Sequence, residues 1–242
     1  MGICSRREAD RMTDAGRVSV GGHAVATGQK VDENADICID GRPVKRETQE
    51  ILIAYNKPAG IVCTTTDRYG KNDIVSAVGL DKRIYPVGRL DKDSTGLIFL
   101  TNEGGLMNEL TKASGRHEKE YVVKINKPVT EEFLRRMRGG LYLEELDRTT
   151  AVCKVWACDE KDTKKKLNPT KDGSYDTRVF RIILIQGLNR QIRRMCEACG
   201  ARVVSLKRVR IMNIELGSLP EGEYRYIKGD EYGELIRRLG DK

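Results

Sequence analysis

The chain has 242 residues, of which 39% are hydrophobic and 33% charged, and its formal net charge is +8. This length allows one large domain or a small domain beside a larger one. Its apolar runs fall short of the roughly 20 residues that a membrane helix needs, and its first residues lack a secretory signal. We therefore expect a cytoplasmic protein without a membrane partner. The positive charge favours a polyanionic partner, nucleic acid first.

The seven cysteines are scattered and odd in number, which argues against a disulfide framework and for a reducing compartment. Cys196 and Cys199 have the spacing of a metal-binding or redox pair. With Ile192 and Met195, however, they recur at the spacing of a core-facing helical stripe. We therefore expect buried thiols here and no metal site.

Residues 1–45 have the pattern of a small module. Ser5 and Glu8, three residues apart, form a capping box that opens a short helix, and Gly16 ends it. The module is too small for a large core of its own. Its other predicted segments are a strand, a two-glycine turn and a strand over residues 17–25, a strand over 35–41 and a polar linker over 42–50.

In residues 46–242, strands mostly follow one another and helices are inserted irregularly. This order predicts an α+β domain around a largely antiparallel mixed sheet. Strands are predicted over residues 51–55, 61–64, 97–101, 119–125, 151–158, 177–185, 203–212 and 214–216. Helices are predicted over 73–78, 106–112, 130–138, 189–199 and 230–239, a turn over 56–60, and a solvated hairpin loop over 159–176.

The stretch over residues 85–96 is the part of the chain that most resembles a reactive site. It is a polar loop between apolar segments, and it contains Arg89, Asp91, Lys92 and Asp93. A loop held between buried strands is where a rigid scaffold usually presents reactive groups. Aspartate, serine and glycine also cluster in ordinary turns, so composition alone leaves both interpretations open.

A second concentration of charge lies in residues 186–210, which hold seven basic residues and one acid. On the predicted helix over 189–199, apolar residues take one face while Arg190, Arg193 and Arg194 lie away from it. The core would thus orient these arginines, either towards a site or as an ordinary solvated face.

Four ordered stretches resemble the motifs of ribosomal RNA pseudouridine synthases. They are Asn56-Lys57-Pro58-Ala59-Gly60, Gly88-Arg89-Leu90-Asp91 with residues 94–104, Lys119-Glu120-Tyr121, and Gly187-Leu188-Asn189-Arg190-Gln191-Ile192-Arg193-Arg194-Met195. Residues 2–10 resemble the alpha-L RNA-binding motif, so residues 1–45 would be an RNA-binding domain and 46–242 the catalytic domain. Four motifs in the right order are a far more specific signal than any one of them.

The resemblance implies an enzyme that detaches uracil from its ribose, turns it and rejoins it through carbon, without cofactor or metal. Asp91 would be the catalytic residue, Tyr121 would stack on uracil and take part in proton transfer, and Arg193 would pair with Asp91. The partner would be ribosomal RNA, more specifically that of the large subunit, and the protein a monomer. The predicted RNA-contacting residues are Arg89, Leu90, Lys92, Asn189, Arg190, Gln191, Arg194, Arg6 and Arg7.

A second hypothesis is a non-catalytic, ribosome-associated RNA-binding protein that uses the arginine helix and the N-terminal module. Salt-dependent RNA binding is expected under both hypotheses. Asp91 separates them, because only an enzyme needs its carboxylate.

Overall fold

The computed structural model describes residues 3–32, 34–44, 49–64, 72–112, 115–158 and 176–240. The chain divides into two compact units, residues 1–50 and 51–242. The hairpin loop predicted over 159–176 lies outside the described residues except for Asp176. Throughout the described ranges, every helix is too short or too polar to cross a membrane.

The described residues of the first unit form one helix and a four-stranded sheet. Helix α1 (Arg6–Asp14) begins at Ser5, whose Oγ accepts a hydrogen bond from the Glu8 N–H at 3.2 Å, as the capping box predicts. None of the residues of α1 is buried. The strands are β1 (Val18–Val20), β2 (His23–Ala24), β3 (Ile37–Ile39) and β4 (Arg42–Pro43), in the order β2-β1-β3-β4. The prediction that a linker starts at residue 42 is wrong, because β4 pairs with β3.

The second unit is organised around a nine-stranded sheet, with a separate two-stranded ribbon. The strands are β5 (Leu52–Lys57), β6 (Tyr85–Pro86), β7 (Thr95–Thr101), β8 (Lys119–Ile125), β9 (Tyr142–Leu143), β10 (Arg148–Thr149), β11 (Lys154–Ala157), β12 (Val179–Leu184), β13 (Val203–Ile211), β14 (Ile214–Glu215) and β15 (Tyr224–Tyr226). The main order is β11-β12-β8-β13-β7-β5-β15. Among these described strands only β13 and β7 run parallel. The predicted α+β fold with a largely antiparallel mixed sheet is confirmed.

The five helices described in this unit pack on the sheet through apolar faces. They are α2 (Ile74–Val78), α3 (Gly104–Thr111), α4 (Glu131–Gly139), α5 (Gln191–Ala198) and α6 (Gly229–Gly240). The Asp73 carboxylate caps α2 by accepting from two backbone N–H groups, and the Thr130 hydroxyl caps α4. Helices α4 and α5 share one core cluster with β8, β12 and β13, which fixes α5 against the sheet.

Two sequence predictions between β5 and α2 are wrong. Residues 61–64 do not form a strand, because Val62 makes a single isolated bridge with Asp73 and no ladder extends from it in the described residues. The turn predicted from residue 56 begins later, since Asn56 and Lys57 pair with β7 as the last residues of β5. The short strands β6 and β15 lacked a sequence signal long enough to predict them.

Candidate active site

The loop between β6 and β7 is closed at its base by strand pairing. Tyr85 and Pro86 pair with the far end of β7, and the Val87 N–H donates to the Phe99 carbonyl at 2.8 Å. Within the loop the Ser94 N–H donates to the Asp91 carbonyl at 3.1 Å. The loop therefore leaves and re-enters the sheet at fixed points, with Asp91 at its turn.

Cys63 holds the residue before Asp91 from behind. Its thiol donates to the Leu90 carbonyl at 3.2 Å, and its sulfur accepts from the Leu90 N–H at 3.3 Å. Burial raises the pKa of the Cys63 thiol, which keeps its proton available for donation at neutral pH. Sequence patterns do not predict this contact, because it depends on two segments that meet only in the fold.

The residue after Asp91 is held in the same way by the turn that follows β5. The Lys92 carbonyl accepts from the Gly60 N–H at 2.8 Å and from Lys57 Nζ at 3.5 Å. Lys57 is 0% exposed, and its Nζ also donates to the carbonyls of Pro58 and Ile61 at 2.8 and 2.9 Å. Burial lowers the pKa of Lys57 below its usual value. Lys57 thus supports the site as scaffold, although nothing in the sequence shows that it is buried.

Gly96 fixes the other end of the loop. It pairs with Arg208 where β7 and β13 run parallel, and its φ is +101°. A Cβ atom at this position would overlap the Arg208 carbonyl oxygen. The buried Arg208 side chain in turn donates from Nε to the Leu97 carbonyl at 2.6 Å. Only glycine allows this close approach of the two strands.

Helix α5 presents arginines to the loop because its other face is anchored in the core. Ile192, Met195 and Cys196 are buried, as the predicted helical stripe requires. Arg190 immediately precedes the helix in the left-handed conformation, with φ +49°. A non-glycine residue in this region is uncommon and often marks a functional site.

Two carboxylates and two guanidinium groups meet at the front of the loop. Arg193 Nη2 lies 3.1 Å from Asp93 Oδ2 and donates to Ser94 Oγ at 3.2 Å, while its Nε lies 3.9 Å from Asp91 Oδ2. Arg190 lies 3.7 Å from Asp91 and 3.5 Å from Asp93, through Nη1 and Nη2 respectively. The Asp91 side chain is 35% exposed and that of Arg193 only 10%. The predicted proximity of Asp91 and Arg193 is present, but Arg193 makes its shorter contacts elsewhere.

Asp91, Arg190 and Arg193 line an open cleft of about 120 Å³. Drug-sized ligand pockets measure about 300–1,000 Å³, so this space suits a single ring system rather than a run of nucleotides. Tyr121 lines the cleft from β8, together with Leu184 of β12 and Leu206 of β13. The cleft therefore has an aromatic and aliphatic wall opposite a charged one.

The structure brings most of the predicted site residues together at this cleft. Those that line it are Arg89, Leu90, Asp91, Tyr121, Arg190, Gln191 and Arg193. Gln191 is buried, and its side-chain amide is already hydrogen-bonded. Its Oε1 accepts from the Leu188 N–H, and its Nε2 donates to Gln186 Oε1. Ser94 also lines the cleft, and the sequence analysis assigned it no role.

The other predicted RNA-contacting residues lie outside the cleft wall. Lys92 is exposed on the loop. Arg194 forms an ion pair with Glu145 and donates from Nε to the Asn189 carbonyl at 3.1 Å. Arg6 and Arg7 are exposed on α1 in the first unit. Their contacts with RNA stay predictions.

The described residues contain no group of three or more His, Cys, Asp and Glu side chains that could hold a metal ion. The buried Cys196 and Cys199 belong to the hydrophobic core between α5 and the sheet. Burial raises the pKa of both thiols.

Comparison with known proteins gives the class to which this fold and cleft belong. The family described as RNA pseudouridylate synthase matches residues 51–198. The chain belongs to this family, whose members are isomerases, and the family prediction is confirmed. The non-catalytic hypothesis is not supported.

Individual proteins of this family are similar to the chain over nearly its whole length. The dual-specificity RNA pseudouridine synthase RluF of Salmonella typhi is 48% identical over 241 residues, which cover 98% of this chain and 76% of that protein. The ribosomal large subunit pseudouridine synthase B of Bacillus subtilis (strain 168) is 34% identical, with 99% and 93% covered. A crystal structure of a pseudouridylate synthase superposes with a TM-score of 0.61 at 24% identity, covering 97% of this chain and 94% of that one, and shows the same fold.

Proposed function

We propose that this protein converts a uridine of large-subunit ribosomal RNA to pseudouridine, with Asp91 as the catalytic carboxylate. The observation that carries the assignment of Asp91 is that Asp91, Tyr121 and Arg193, from three distant segments of the chain, line one cleft. The substrate class is supported by relatives named as ribosomal large subunit pseudouridine synthases, 33–36% identical to this chain.

The reaction is an isomerisation in which atoms are conserved. The bond between the ribose C1′ and N1 of uracil breaks, the ring turns, and a bond between C1′ and C5 forms. The proton on C5 is lost and N1 gains one. Such a sequence needs a charged group beside the sugar and base, a surface that holds the detached ring, and a group that moves the proton.

The cleft supplies candidates for each task. A target base in structured RNA has to leave its stack before chemistry can reach it, and an aromatic face can hold it once flipped. Tyr121 is the aromatic side chain of the cleft, and its phenol is also a candidate for the proton transfer. Arg193 places a positive charge beside Asp91, with its Nε 3.9 Å from Asp91 Oδ2.

The residues proposed to bind RNA fall into two groups. Arg89, Leu90 and Arg190 line the cleft, and Lys92 is exposed on the same loop, so they would contact the nucleotides next to the flipped base. Asn189, Gln191 and Arg194 would shape the start of α5 around the same RNA. Arg6 and Arg7 would bind phosphates through the first unit, an alpha-L-type RNA-binding module.

The working form that we propose is a cytoplasmic monomer. The free thiols of all seven cysteines fit a reducing compartment.

Asp91→Asn tests the proposal directly. The variant keeps the shape of the side chain and removes its charge, so we expect pseudouridine formation to fall by a factor on the order of 10⁴ while RNA affinity is retained. Activity is measured on large-subunit RNA from cells that lack the gene, with mapping of the modified position. Asp81→Asn, an exposed aspartate away from the cleft, is the matched control and should retain full activity.

Two results would count against the proposal. Undiminished product with Asp91→Asn would exclude Asp91 as the catalytic residue. A wild-type protein that modifies other RNA but not large-subunit RNA would exclude the substrate class and leave the assignment of Asp91 to be tested on the other RNA.

A further inference from the structure

The two aspartates of the loop share the two arginines unequally. Arg193 approaches Asp93 to 3.1 Å and Asp91 only to 3.9 Å, and Arg190 likewise lies nearer to Asp93, at 3.5 Å, than to Asp91, at 3.7 Å. Direct charge-assisted hydrogen bonds between guanidinium and carboxylate groups measure about 2.7–2.9 Å. In the substrate-free protein neither arginine is thus directly bonded to Asp91 through these atoms.

Arg193 has an unused donor on the side of Asp91. Its Nε is buried and finds no hydrogen-bond partner among the described residues. Leaving a buried donor unsatisfied costs free energy, so a small rotation that brought Nε to Asp91 Oδ2 would be favourable unless something opposed it. The contacts of Nη2 with Asp93 and with the fully buried Ser94 hold the guanidinium in place.

We propose that Asp93 is a positioning residue that holds Arg193 and Arg190 away from Asp91 before substrate binds. This inference rests on the function proposed above. Asp93 is 52% exposed and lies within 3.1 Å of Arg193 and 3.5 Å of Arg190, so it competes with Asp91 for both guanidinium groups. Asp91 thereby stands in a cationic environment while its oxygen atoms remain available to the substrate. An aspartate saturated by two guanidinium groups would first have to break those bonds in order to react.

Removing the charge of Asp93 should move Arg193 closer to Asp91. In Asp93→Asn the attraction between Arg193 and position 93 falls, and the unsatisfied Nε closes on Asp91 to hydrogen-bond distance, below about 3.2 Å. A misplacement on this scale at a reacting group can cost about 100-fold in rate, and we expect a loss of this order in kcat. RNA affinity should rise, because an exposed anion beside two arginines of an RNA-binding cleft has been removed.

The experiment compares wild type, Asp93→Asn, Asp93→Glu and the control Asp81→Asn. Single-turnover rates and RNA dissociation constants are measured for each, together with crystal structures of the substrate-free proteins. Asp93→Glu retains the charge and should recover most of the rate. Lower kcat together with tighter RNA binding in Asp93→Asn is the expected pattern, and damage to the fold would not produce it.

Several outcomes would overturn the inference. They are an unchanged kcat in Asp93→Asn, a lower kcat with weaker RNA binding, an Arg193 Nε that stays at its wild-type distance from Asp91, or a variant that fails to fold. Should wild type prove inactive on large-subunit RNA, the proposed substrate fails, while the crystallographic distance between Arg193 Nε and Asp91 still decides the role of Asp93.

Discussion

The back and the front of the catalytic loop are held by different kinds of contact. Behind it, Cys63, Gly60 and Lys57 bond the main chain of the residues on either side of Asp91, at 2.8–3.5 Å. In front, partly exposed charged side chains face one another at 3.1–3.9 Å. The back therefore fixes the backbone and the front leaves the charged groups room to change partners.

This difference shows how a scaffold can place a carboxylate without consuming it. A group that is positioned by its own hydrogen bonds loses some of them when it reacts. When the neighbouring backbone carries the positioning, the cost of ordering is met during folding and the side chain keeps its capacity for the substrate. Changes at the back should therefore affect stability and turnover together, whereas changes at the front should affect turnover and leave stability nearly unchanged.

Of the changes behind the catalytic loop, Gly96→Ala should have the largest effect on stability. The added methyl group meets the Arg208 carbonyl oxygen and the residue has an unfavourable φ, so we expect a loss on the order of 3–5 kcal/mol in the free energy of unfolding. Urea denaturation measures it. Gly79→Ala is the control, because Gly79 also has positive φ, +65°, but lies in open space. Equal losses in the two variants would show that the close approach of β7 and β13 is unimportant.

Tyr121→Phe tests the front. It removes a hydroxyl from the cleft and keeps the ring, so we expect pseudouridine formation to slow by about 100-fold, the range of general acid–base contributions. The free energy of unfolding should change by less than about 1 kcal/mol. The control is Tyr142→Phe, which removes an exposed hydroxyl that donates to Asp147 at 2.8 Å. A large loss of stability in Tyr121→Phe would contradict the expectation that changes at the front of the loop leave the free energy of unfolding nearly unchanged.

Cys63→Ala, a change at the back of the loop, should have the smallest effect of the three. It should lower both the stability of the protein and the rate of pseudouridine formation. The Leu90 N–H and carbonyl lose their partner, which should cost about 1 kcal/mol of stability, with a lower kcat and unchanged RNA affinity. Cys63→Ser keeps a donor and an acceptor and should restore most of the rate. Cys153→Ala removes a thiol that donates to the Met137 carbonyl at 3.2 Å, far along the chain from the loop. We expect it to change stability and leave kcat intact, so a matching fall in kcat would contradict a specific role for Cys63.

Sequence patterns were sufficient for elements whose signal is local. The serine that caps α1 and the apolar face of α5 each predicted an element that the structure contains, and the strand predicted over residues 119–125 is β8. The motif resemblance gave Asp91, Tyr121 and Arg193, and the structure places these residues along one cleft. Their individual roles remain proposals.

Contacts between distant segments could not be predicted in this way. The sequence pattern places Lys57 in a turn over residues 56–60. Lysine is rarely fully buried, and the burial of Lys57 depends on carbonyls that only the folded chain brings together. Residues 61–64 look like a strand by composition, yet Cys63 bonds the loop. The preference of Arg193 for Asp93 over Asp91 is set by differences of less than 1 Å, which no sequence spacing encodes.

Strand β13 joins two parts of the sheet that are otherwise separate. On one side of it lie β8, β12 and β11, with Tyr121, and on the other lie β7, β5 and β15, next to Asp91. Strand β13 also follows nearly all the other strands in sequence, so these two parts are paired through a late segment of the chain. During synthesis, which proceeds from the N-terminus, strands β5 and β7 can pair early, and so can β8, β12 and β11, but these two groups remain unjoined until β13 has been made. We therefore expect a nascent chain to gain its complete cleft in a single late step, when β13 enters the gap.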